Sequence, residues 1–129
     1  MRHSRRWTGL MLAVTLAAAV AAPVAARAGD VQKSGSCSAA STWQLSAGPR
    51  DGLIRVEFEV DQNVVGQTWR VRLADNGSLF FKGRRTTQDP SGSFTVNRRT
   101  TDQAGTDRIV ARAVNLTTGE VCRGVVRGN

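Results

Sequence analysis

The sequence predicts an all-β protein, a sandwich of seven strands. Two observations carry this. Apolar residues recur at every second position through most of residues 41–129, the period of a half-buried strand. Gly-, Pro- and Asn-bearing breaks divide those stretches at the spacing of a sandwich, and no stretch has helical periodicity.

The chain opens on what reads as a cleavable signal peptide, residues 1–28. Met1-Arg2-His3-Ser4-Arg5-Arg6 is cationic, Leu10 to Ala22 is apolar, and Ala26-Arg27-Ala28 supplies the small-x-small pattern of a cleavage site. A retained anchor from Leu10 to Ala26 would barely cross a bilayer, and Pro23 argues against it. Ser4-Arg5-Arg6 hints at a twin-arginine signal, but Thr8 stands where a bulky apolar residue is usual, so the export route stays open. Residues 29–40 are rich in Ser, Gly and Ala with little to bury, and read as a flexible lead-in.

The domain itself is expected over residues 41–129. Trp43, Leu45 and Ala47 mark the first strand, and Gly48-Pro49-Arg50-Asp51-Gly52 a turn. Ile54, Val56, Phe58 and Val60 alternate with Arg55, Glu57 and Glu59 in the cleanest strand. Trp69, Val71 and Leu73 form the third, interleaved with Arg70 and Arg72. At Asp75-Asn76-Gly77 a two-residue turn would set Val71 opposite Lys82 and bury a lysine. A three-residue loop sets Leu73 opposite Leu79 and Val71 opposite Phe81, and is the expected form. After Pro90-Ser91-Gly92 come Phe94 and Val96. Ile109, Ala111 and Ala113 follow, then a last strand within Glu120 to Arg127 with Cys122, Gly124 and Val126 inward.

Composition excludes much chemistry. The full chain holds 18 Lys plus Arg against 10 Asp plus Glu, a formal charge of +8. The signal segment carries four arginines, no acid, and His3, the one histidine, so its removal leaves +4 and no imidazole. That excludes a Ser-His-Asp triad, a Cys-His dyad, a haem site and nearly every zinc site. No catalytic residue, metal or cofactor is expected, and the protein is not expected to be an enzyme. Two thiols remain, Cys37 and Cys122, in a chain sent to an oxidising compartment; the pairing Cys37–Cys122 is predicted.

The strand pattern resembles an immunoglobulin-like sandwich. Trp69 stands where that family buries its core tryptophan, and Ala111-Arg112-Ala113-Val114-Asn115 with Gly119-Glu120 is similar to the C-x-A-x-N and G-E pattern of intermediate-set domains. Ala111 replaces the family's second Cys and Ile109 its corner Tyr. The whole precursor resembles the short, Arg-rich, single-disulfide secreted proteins of actinobacteria, which implies export and assigns no activity.

Few positions then remain as site candidates. Glu57 and Glu59 share a strand face, but alternation explains both, with Arg55 alongside as a partner. Asp61-Gln62-Asn63 and Asp75-Asn76-Gly77 lack the later ligands of calcium loops and read as turns. If the third, sixth and seventh strands share a sheet, as the resemblance implies, Arg70, Arg72, Arg108, Arg112, Arg123 and Arg127 lie together on its outer face, with Val110, Val114, Val121 and Val125 between them. Such a face would attract polyanions. Phe80 is the one aromatic candidate for interleaving there. The expectation is a secreted or surface-associated, monomeric, non-catalytic binding module whose partner is an anionic cell-wall polymer. The alternative is another secreted protein, met through a strand edge or the end loops.

Overall fold

A computed structural model describes residues 29–128. The export segment expected at 1–28 lies outside the described residues. Eight strands follow in order: β1 (Val31–Ser36), β2 (Thr42–Arg50), β3 (Leu53–Asp61), β4 (Thr68–Asp75), β5 (Ser78–Thr86), β6 (Ser93–Thr101), β7 (Asp107–Asn115) and β8 (Val121–Gly128). They form two antiparallel four-stranded sheets, β1-β2-β3-β6 and β5-β4-β7-β8, with no helix among the described residues.

The alternation of the sequence is the alternation of burial. Leu45, Ile54, Val56, Phe58, Val60, Phe94 and Val96 from the first sheet meet Trp69, Val71, Leu73, Ile109, Ala111, Ala113, Cys122 and Val126 from the second in one core. Trp69 is wholly buried, its ring centroid 6.0 Å from that of Phe94 in a tilted arrangement. A buried indole N–H needs an acceptor. Trp69 Nε1 donates to Gln62 Oε1 at 3.0 Å, Gln62 in turn bonds Gln67, and Asn115 Nδ2 donates to Gln67 Oε1 at 2.7 Å. Asn115 Oδ1 accepts from the backbone N–H groups of Thr117 and Thr118, which shapes the β7–β8 turn.

The strand count is eight where the sequence reading expects seven, because β1 lies inside the segment read as a flexible lead-in. It pairs with β2 from Val31↔Ala47 to Ser36↔Thr42. Only Val31 brings apolar surface to the core, so side-chain pattern could not reveal this strand. Its place comes from the ladder and from Trp43, whose indole packs on two glycines. A Cβ at Gly35 of β1 would sit 2.9 Å from the ring, and one at Gly124 of β8 2.5 Å. The indole thus closes one side of the sandwich where β1 meets β8. Gly124→Val is expected to expel the ring and lower stability by about 2–3 kcal/mol, read by urea denaturation. An unchanged midpoint would show that Trp43 is not held there.

The β4–β5 hairpin also differs. Asn76 and Gly77, with φ of 48° and 86°, make a two-residue turn with Asp75 opposite Ser78, and not the three-residue loop expected. A bulge then leaves Phe80 unpaired between Ala74↔Leu79 and Leu73↔Phe81. The extra residue restores the parity that the turn alone would break. Lys82 is exposed, as expected, and Val71 lies opposite Gly83.

Cys37 and Cys122 are bonded, with Cα atoms 4.3 Å apart. Beside them Glu120 is buried and accepts three hydrogen bonds from the β1–β2 connection: Ser41 Oγ at 2.6 Å, Ser41 N at 2.9 Å and Ala39 N at 3.0 Å. Replacing this acceptor by Glu120→Gln is expected to cost about 2 kcal/mol, since charge-assisted bonds to a buried carboxylate become neutral or are lost. Thermal unfolding of the variant would measure it, and an unchanged midpoint would refute it.

Candidate anion-binding sheet face

Strand parity turns one set of β5, β4, β7 and β8 side chains away from the core, and the register arranges them in rows. Nearest the disulfide end, Arg84, Arg70, Val114 and Val121 stand side by side. Lys82, Arg72, Arg112 and Arg123 form the next row, one cation from each strand. Leu79, Ala74, Val110 and Val125 form the third. Beyond it Arg108 lies opposite Arg127.

All six arginines expected on this face are therefore on it. Arg70, Arg72, Arg112, Arg123 and Arg127 are exposed and Arg108 is half-buried. The sequence reading missed Lys82 and Arg84, also exposed there. Their alternation is visible in the sequence, but the expected face has three strands and the sheet has four. The four valines are half-buried, as expected of apolar positions beneath long arginine stems. Phe80 packs against the core and adds no ring to the face. Phe81, opposite Leu73, also packs against the core and lies under the guanidinium groups of Arg85 and Arg98 at 5.1 and 4.6 Å.

The electrostatics are one-sided. The acids on these strands, Asp75 and Asp107, point inward and are buried. Among the described residues none of the eight face cations makes an ion pair. Five cation pairs lie directly opposite one another: Arg70–Arg84, Arg72–Lys82, Arg72–Arg112, Arg112–Arg123 and Arg108–Arg127. Directly opposed like charges destabilise a sheet. The outer side of the other sheet lacks this bias, with Arg55 bonded to Glu57 at 2.9 Å and Glu59 two residues on. Arg50 there grips Asp30 through both guanidinium nitrogens at 2.8 and 2.9 Å; that hydrogen bonding raises its already high pKa.

Shape favours the β4–β5 side. Arg70, Arg72, Lys82, Gly83 and Arg84 line an open depression of about 510 Å³. Guanidinium forks around such a hollow can donate to phosphate or carboxylate oxygens. Among the described residues no group of three or more His, Cys, Asp or Glu side chains is placed to hold a metal ion.

Comparison with known proteins finds no matching family model, no matching curated protein and no matching solved structure.

Proposed function

We propose that this chain is an exported, non-catalytic binding module that contacts anionic polymers of the cell envelope through the outer face of the β5-β4-β7-β8 sheet. The observation that carries the reading is the set of five directly opposed cation pairs with no acid among them. A solvating surface would mix signs, as the opposite sheet does. A polyanion supplies the missing countercharge.

An immunoglobulin-like assignment of the sandwich is supported by strand order. Setting β1 aside, β2-β3-β6 and β4-β7-β8 follow the A-B-E and C-F-G order of that fold, with β5 beside β4 as the C′ strand lies beside C. The Cys37–Cys122 bond is consistent with an extracellular location.

Retention on immobilised poly(glycerol phosphate) at rising salt tests the function. The triple variant Arg72→Ser/Arg112→Ser/Arg123→Ser is expected to bind at least ~30-fold more weakly, with a salt slope shallower by about two. Arg50→Ser/Arg55→Ser/Arg99→Ser removes the same charge from the outer side of the opposite sheet and is expected to bind nearly as the parent does. Equal losses in the two triples would leave only net charge and defeat the proposal. A second reading, a protein partner at the loop end, is favoured by exposed Val64, Val65 and Leu116. Leu116 lies beside the β3–β4 loop, its N–H donating to Thr68 O at 2.9 Å. Binding there would hardly respond to salt.

A further inference from the structure

Resting on the polyanion reading above, we infer that the face takes a single unbranched polyol-phosphate chain, laid obliquely from the disulfide end of β5 to the far end of β8.

The cations do not fill the face evenly. In the row nearest the disulfide they occupy β5 and β4, as Arg84 and Arg70. One row on they cross all four strands, and in the last row they occupy β7 and β8, as Arg108 and Arg127. The two corners off this band are apolar: Val114 with Val121, and Ala74 with Leu79. A linear polyanion that follows the charge must therefore cross the strands at a slant. With strands ~4.8 Å apart and alternate residues ~6.8 Å apart along each, the path from Arg84 to Arg127 is roughly 25 Å. A glycerol-phosphate repeat has the six backbone bonds of two peptide residues and reaches about 7 Å when extended, so about four repeats span the band.

The floor of the band selects the linker between charges. Between Arg112–Arg123 and Arg108–Arg127 lie only Val110 and Val125, and no aromatic ring stands on the face. Nucleobases and sugar rings gain affinity by stacking on such rings. Short aliphatic linkers need only a small apolar floor. Seven of the eight cations are arginines, whose forked donors match the two free oxygens of a phosphodiester.

Titrating the protein with glycerol-phosphate oligomers of two, four, six and eight repeats tests this. Affinity is expected to rise steeply to four repeats and little beyond. Arg84→Ser and Arg127→Ser, at the two ends of the band, are each expected to weaken the four-repeat oligomer about 5–10-fold at ~50 mM salt, and Arg127→Ser, outside the β4–β5 depression, to leave the two-repeat oligomer unchanged. Affinity that levels off at two repeats, or indifference to Arg84 and Arg127, would overturn the oblique path while leaving polyanion binding intact. Equal or tighter binding of single-stranded oligothymidylate of the same charge, or of anionic phospholipid vesicles, would overturn the polyol-phosphate assignment. Failure of every polyanion, including long poly(glycerol phosphate), would remove the underlying reading and this inference with it.

Discussion

Opening the Cys37–Cys122 bond, by Cys37→Ser together with Cys122→Ser, is expected to lower stability by about 4–5 kcal/mol, the loop-closure entropy of a span this long. The bonded residues are 85 apart in sequence, so the cross-link excludes most of the denatured chain's freedom. In the folded state the same region is held by other means. Ser38 N donates to Val121 O, Val121 N donates to Ser38 Oγ, and Glu120 accepts from Ala39 and Ser41. The two sheets should therefore still form without the bond, with β1 exchanging its amide protons faster than β3 or β7 because only Val31, the ladder and the Trp43 ring against Gly35 then anchor it. Urea denaturation is the measurement, with a midpoint roughly 3–4 M lower at the slope usual for a domain of this size. A loss below about 1 kcal/mol would rule out the loop-closure account.

How much of this was legible beforehand depends on whether a residue's role is local. The inward sets of β3, β4 and β7 could be read because alternation along one strand records which face meets the core. By the same parity Asp107 falls on the inner face with Ile109 and Ala111, a signal present in the sequence. β1 could not be read in this way, since its position is set by its neighbour's backbone and by an indole from β2. The bulge at Phe80 was hidden because turn chemistry and burial parity made opposite demands, and one extra residue satisfied both. Glu120 resembled a family motif position, but its partners lie about 80 residues earlier. The cationic face was legible residue by residue. Its rows were not, because they depend on which strand lies beside which.

The buried acids at the other end yield the second large effect, a fold that loosens as acidity falls. Asp75 on β4 and Asp107 on β7 are both sealed inside the sandwich, and Asp75 Oδ1 and Asp107 Oδ2 have no hydrogen-bond donor. Burial pushes the Asp75 carboxyl up to about 6; the charge of Asp107 and a hydrogen bond to it add to this, Asp102 contributes a little, and the Thr100 hydroxyl opposes. Asp102, hydrogen-bonded to Asp107, is raised as well. A proton on Asp75, donated to the Asp107 carboxylate, gives the pair a hydrogen bond that two charged carboxylates lack. In the unfolded chain Asp75 would titrate at its ordinary 3.8, so between there and about 6 the folded state holds the extra proton. Stability from this pair is thus present in full below 3.8, declines as pH rises through 6 and stays low above it. The span corresponds to about 2–3 kcal/mol. Asp75→Asn supplies a permanent donor to Asp107. It is expected to melt higher than the parent at pH 8, by several degrees, and close to it at pH 4. A variant that melts lower at pH 8 would show that the two carboxyls do not repel. A rise in the parent's melting temperature on adding calcium at pH 8, absent in Asp75→Asn, would show that a cation and not a proton joins them.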